Sequence, residues 1–161
     1  MENYPNIELQ NLLYELWENH FEDVPRKNLV IVKYGKFSKG RLGSIKWCKD
    51  LKGIKQIYKY FEEEHKIQDD KRITLIILTR YFTLDGIPNY VIKTTLAHEL
   101  VHYTHGFHSP LPQIYTYPHQ GSLVKKELKK RGLGEEYKLA DEWIKKYWDK
   151  IIKEQKKQKF L

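Results

Sequence analysis

The 161-residue chain has a single cysteine, Cys48, and a single methionine, Met1. One cysteine excludes a fold stapled by disulfides. It also excludes a cysteine-rich zinc finger or ribbon, which needs several thiolates around one ion. Long hydrophobic runs are missing too, and nothing approaches the roughly 18–20 apolar residues that a membrane span requires. The opening Met1-Glu2-Asn3-Tyr4-Pro5 lacks a basic region followed by an apolar stretch, so no signal peptide is expected. These absences predict a soluble, cytoplasmic protein without a membrane partner.

What remains is a chain built for one core. Hydrophobic residues make up 40%, enough to fill an interior, and the charged 31% are mixed in sign, which argues against disorder. The length suits one domain spanning residues 1–161. Lys and Arg number 29 against 21 Asp and Glu, a net charge of +8. The excess is uneven, since residues 121–161 hold 13 basic against 7 acidic side chains.

Periodicity predicts an α/β (α+β) chain. Leu9, Leu12, Leu13, Leu16 and Trp17 share one helical face between about Asn6 and Phe21, with Asn6 as the N-cap. Asn28 to Tyr34 reads as a strand, and Ser44 to Cys48 as a second strand returning beside it. Leu51, Ile54, Tyr58, Phe61 and His65 have helical spacing, which predicts a helix over 51–65. Arg72 to Thr79 is a nearly continuous β-branched run, as in a strand covered on both faces. A turn at Asp85-Gly86 precedes a helix from about Asn89 that Gly106 ends. A loop over 107–119 leads to a short helix at 122–131. A last, basic helix runs over about 135–161, with Ala140, Trp143, Tyr147 and Ile151 on one face and a tail from Lys150 expected to fray.

Five of the seven histidines fall between His98 and His119. His98-Glu99-Leu100-Val101-His102 is an HExxH pattern on the predicted helix. Positions four apart lie one above the other on a helix face, so both imidazoles reach one ion at about 2.0–2.1 Å. Glu99, beside the first ligand, is placed to act as general base on a metal-activated water. Catalytic zinc takes three protein ligands and keeps one position open. His105 is a poor third ligand, because seven residues of helix separate it from His98 by about 10 Å. The third ligand is therefore expected beyond Gly106, and His108, His119, Glu127 and Glu142 are the candidates.

Other residues give weaker signals. Tyr115 and Tyr117 are read as loop tyrosines packed over the helix, with an oxyanion donor as the catalytic alternative. Cys48 has no base beside it and reads as an inert thiol. Trp143, Tyr147 and Trp148 suit helix packing better than base stacking. Lys125, Lys126, Lys129, Lys130 and Arg131, continued by Lys145, Lys146, Lys150, Lys153, Lys156 and Lys157, form either a solvated face or a non-specific phosphate-binding patch.

The chain resembles the SprT-like zinc metallopeptidases, HExxH zincins related to DNA–protein crosslink proteases. The likeness rests on five stretches within residues 7–134. Leu13-Tyr14-Glu15-Leu16-Trp17-Glu18-Asn19-His20-Phe21 is similar to the family's opening helix. Leu42-Gly43-Ser44-Ile45 and the strand Ile73–Leu78 follow in the family's order. Thr95-Leu96-Ala97-His98-Glu99-Leu100-Val101-His102 resembles the active-site helix. Pro118-His119-Gln120-Gly121-Ser122-Leu123-Val124-Lys125-Lys126-Glu127-Leu128 resembles the stretch where a histidine precedes a short helix. Two departures are Gln120, where the family usually has glycine, and the absence of a C-terminal zinc ribbon.

The resemblance implies a zincin-like domain, a small mixed sheet packed on the HExxH helix, that hydrolyses peptide bonds. It implies a Zn2+ ion on His98, His102 and His119, with His108 as the alternative third ligand from a neighbouring zincin spacing. Glu99 is then the catalytic base, and a protein or peptide the substrate. It also raises the expectation of non-specific DNA contact through the basic C-terminal region. The alternative expectation is a non-catalytic, zinc-stabilised DNA-binding or adaptor module, with His108 and His119 both closing on the ion. A third is a dormant peptidase with the 107–118 loop across its cleft.

Overall fold

The computed structural model describes residues 7–158, so the expected cap at Asn6, the N-terminal pentapeptide and the last three residues lie outside the described residues. Helix α1 spans Ile7–His20, strand β1 Leu29–Tyr34 and strand β2 Gly43–Cys48. A 3-10 turn at Leu51–Ile54 leads to two short helices, α2 at Lys55–Tyr58 and α3 at Glu62–Ile67. Strand β3 (Ile73–Leu78) precedes the long helix α4 (Asn89–Thr104), then α5 (Leu123–Lys130) and α6 (Gly134–Gln158). The α+β class read from the sequence is what the chain adopts.

The sheet has the order β1-β3-β2, with β1 parallel and β2 antiparallel to β3. The near-continuous apolar β3 is therefore central. Ile76 and Leu78 face a core shared with Leu13, Leu16, Leu96 and Leu100 of α1 and α4. Ile73 and Leu75 face the opposite cluster with Ile54 and Ile57. Both faces are covered, as the run of β-branched residues predicted. The outer edge of β1 is closed from α1. The Gln10 amide donates to Val30 O at 3.1 Å and accepts from Val32 N at 3.2 Å, satisfying backbone groups that a neighbouring strand would otherwise satisfy.

Helix α4 is buried on nearly every side, through Val91, Leu96, Ala97, Leu100, Val101 and Tyr103. Such all-round apolarity marks a helix at the centre of a fold rather than on its surface. It stops at Gly106, whose φ of 85° is left-handed, and a Cβ there would meet Pro112 O at 2.3 Å. Only glycine fits, which lets the chain fold straight back along the helix end. Beside it a buried polar chain ties α4 to the sheet. Tyr103 Oη donates to Asn28 Oδ1, Asn28 Nδ2 to Thr74 Oγ1, and Thr74 Oγ1 to His108 O.

Four expectations fail for identifiable reasons. β2 returns beside β3, not β1, because the central position goes to the strand that buries both faces. The helix expected over 51–65 breaks into the 3-10 turn, α2 and α3. Asp50 caps the first piece by accepting from Lys52 N, and α3 has no buried residue to hold it in line with α2. The tail from Lys150 does not fray within the described residues, because Trp148 and Ile152 are buried against the core and carry α6 to Gln158. For the same reason the buried stripe of α6 is Ala140, Trp148 and Ile152, while Tyr147 is exposed. Among the described residues no helix is long and apolar enough to cross a membrane.

Candidate metal centre

Helical spacing stacks His98 and His102 with ring centroids 4.7 Å apart on α4. The loop ahead of α5 brings in His119. Its Nε2 lies 3.2 Å from His98 Nε2 and 3.0 Å from His102 Nε2. Each imidazole nitrogen has one in-plane position, for a proton or a lone pair. Three Nε2 atoms crowding one point therefore cannot all satisfy one another by hydrogen bonds. A cation accepting three lone pairs would satisfy them together. Bonds of about 2.0–2.1 Å in a tetrahedral arrangement put donors about 3.3 Å apart, close to the spacing seen. The three histidines could hold a metal ion.

Burial sets the protonation states that such a site needs. His98 is pushed down to about 4, mainly by burial and then by the nearby His119. His102 is pushed down to about 3, by burial first and then by His98, His119, His105 and His108. Both rings are thus neutral at neutral pH, the form in which imidazole binds a metal. His119 is exposed and His102 buried, so the cluster opens on one side only. His102 Nδ1 is buried without a hydrogen-bond partner, a departure from the usual pattern in which a ligating histidine donates its second N–H.

Glu99 is 5% exposed and lines a cavity of about 350 Å³ together with His98 and His119. Burial raises its carboxyl to about 8, with Arg41 acting in the opposite direction. A divalent cation nearby would favour the carboxylate and return it to the basic form. Its Oε2 would be 3.2 Å from a Cβ on Gly43, and Thr95 Cγ2 would be 3.0 Å away. The start of β2 therefore lies directly against the carboxylate, and a side chain at position 43 would have to displace it by a few tenths of an ångström.

The remaining candidates go elsewhere. His105 is 1% exposed and points away from the cluster, its Nε2 3.3 Å from Glu127 Oε1. Glu127 also accepts from Arg131 Nε at 2.8 Å, which makes it part of an ion-pair network rather than a metal ligand. His108 is exposed, with a left-handed φ of 53°, and is not among the converging histidines. The closed sphere containing both His108 and His119 is therefore not formed. Glu142 is exposed on α6 and also stands outside the cluster.

Tyr115 packs edge-on against the His105 ring at 4.8 Å, whereas Tyr117 is 67% exposed. Cys48 Sγ lies 3.1 Å from Asp50 O, and burial raises its thiol above the usual range, so no thiolate is favoured there. Among the basic residues, Lys125, Lys126, Lys129 and Lys130 are exposed on or beside α5. Arg131 is not part of that face, since it is bound to Asp23 and Glu127.

The cavity also includes residues that the sequence had not placed at the site. Arg41 and Gly43 come from the approach to β2, and Tyr137, Ala140, Asp141 and Ile144 come from α6. The only available signal was the spacing of Tyr137, Ala140, Asp141 and Ile144, which share a face of α6. In comparisons with models of known families, with curated proteins and with solved structures, nothing matches this chain.

Proposed function

We propose that the protein is a zinc-dependent metallopeptidase, as the resemblance to SprT-like enzymes implies. The observation that carries this reading is the convergence of His98, His102 and His119 Nε2 on one point beside a cavity lined by Glu99. His98, His102 and His119 would hold the ion, and Zn2+ suits a three-nitrogen set with an open side. Zinc, when bound, polarises a carbonyl and acidifies water. Glu99 takes the proton of the attacking water and passes it to the leaving amine. Burial raises the proton affinity of its carboxyl and a bound cation would lower it again, leaving a base that can also give the proton back.

The sheet supplies a track for an extended substrate. β2 is an edge strand, and its first residue, Gly43, lies against Glu99. A peptide pairing along that edge by backbone hydrogen bonds would pass the cavity. The exposed lysines of α5 support action on DNA-associated proteins, through backbone phosphate contacts without base reading.

The test is metal analysis and proteolysis with the purified protein and its Glu99→Gln variant. Glu99→Gln should retain the metal and lose hydrolysis of a protein substrate. Equal cleavage by both forms would reject Glu99 as the base. Absence of metal from the purified, zinc-supplied wild type would reject the centre itself.

A further inference from the structure

A second cavity adjoins the metal centre. It measures about 840 Å³ and wraps the C-terminal ends of β1 and β3, with the 3-10 turn and α2 as its far wall. Arg41 and Gly43 line both this cleft and the cavity of Glu99, so the two are neighbours across those residues. Its cations are Lys33, Lys36, Arg41, Lys52, Lys55 and Arg80, and no carboxylate lines it. Asp50, at the entrance to the 3-10 turn, turns its side chain to Lys52 N instead. Lys33, Lys36, Arg41, Lys52 and Lys55 form no ion pair among the described residues. Burial, and then the like charges of Lys46 and Arg80, lower the Lys33 ammonium below its usual range.

The floor distinguishes among anions. Ile54, Ile57, Ile77 and Leu78 give it an aliphatic base. Methylene stems of glutamate side chains suit such a base, with their carboxylates turned to the cationic walls. Single-stranded nucleic acid binds instead on successive aromatic side chains, and Tyr34 is the only aromatic residue in the lining. We infer that this cleft is a specificity site for acidic peptide segments, holding Asp- or Glu-rich sequence beside the bond placed at the metal centre. The inference rests on the peptidase reading for its use, but binding tests it separately.

The probes are three labelled peptides with a common core flanked by repeated Glu, Gln or Lys. Binding is read by fluorescence anisotropy on zinc-supplied Glu99→Gln protein, and turnover on zinc-supplied wild type. The Glu peptide should bind about tenfold tighter than the Gln peptide, the sum of a few partly exposed ion pairs, and the Lys peptide weakest. The preference should shrink as salt is raised. Lys52→Glu/Lys55→Glu should abolish it, while metal content and cleavage of the Gln peptide stay unchanged. Lys36→Glu, on an exposed loop, is the second variant should the first fold poorly.

Equal binding of the Glu and Gln peptides overturns the inference, as does a preference that survives both variants. Oligothymidylate binding that depends on Lys52 and Lys55, with no matching Glu-peptide binding, would assign the cleft to nucleic acid and also overturn it. If the Glu preference is present and the wild type cleaves none of the peptides, the acidic-segment site stands and the peptidase reading fails.

Discussion

His102 Nε2 and His119 Nε2 stand 3.0 Å apart, although 17 residues separate them in the chain. α4 fixes the first ring rigidly, while the second rides on a loop held at both ends by the core. That asymmetry decides which changes should remove the metal and which should only blunt the chemistry.

His119→Ala is expected to lose the metal while keeping the fold, since this side chain is exposed and lies outside the hydrophobic core. The affinity loss should exceed the roughly 10–100-fold cost of deleting an outer-sphere partner. His108→Ala should bind metal as the wild type does. Elemental analysis with circular dichroism on the two variants checks both statements.

Gly43→Ala should harm turnover more than stability. The added methyl would lie 3.0 Å from Thr95 Cγ2 and 3.2 Å from Glu99 Oε2, so the carboxylate must shift by a few tenths of an ångström. Overpacking of this size costs about 1 kcal/mol of stability. Misplacing the base is expected to lower kcat by about tenfold or more, since positioning errors near 1 Å cost about a hundredfold. A urea melt beside steady-state kinetics separates the two effects.

The chelator-treated protein should show a stability maximum set by opposing groups. The Glu99 carboxyl titrates near 8 when folded against 4.5 when unfolded. Its contribution is full below 4.5 and is lost as pH rises through 8. His98 titrates near 4 when folded, and His102 near 3, against 6.5 when unfolded. Their contribution is full above 6.5 and is lost as pH falls toward 4 and then 3. The unfolded chain thus binds more protons below 6.5 and the folded chain more above it, so these three groups place the maximum near pH 6.5. Glu99→Gln should flatten the alkaline limb, steepen the rise between pH 4.5 and 6.5, and leave the limb below 4.5 unchanged. Melting temperature against pH for the two proteins measures it.

Tyr103→Phe should destabilise the fold by about 1–3 kcal/mol, because it leaves the buried Asn28 Oδ1 without its donor. The same hydroxyl helps tie the end of α4 to the sheet, so local opening around 103–109 should increase. Chemical denaturation gives the first quantity and amide hydrogen exchange the second. An unchanged denaturation midpoint would mean that water replaces the hydroxyl at no cost.

Local physics made part of this protein readable. The β-branched run Ile73–Leu78 could only be a strand covered on both faces, and the four-residue step from His98 to His102 could only stack two rings on a helix. Gly106 marked the end of that helix, because no other residue accepts its backbone. These features depend on neighbours within a turn or a pleat, which is why sequence alone determined them. The pairing of β2 with β3, the splitting of 51–65, and the choice of His119 over His108, Glu127 and Glu142 were decided by tertiary structure. Each depends on which distant surface offers burial or charge. His105 and Glu127 engage each other, α6 closes over the site through Tyr137 and Asp141, and the cavity beside the histidine cluster exists only once those separate segments have packed.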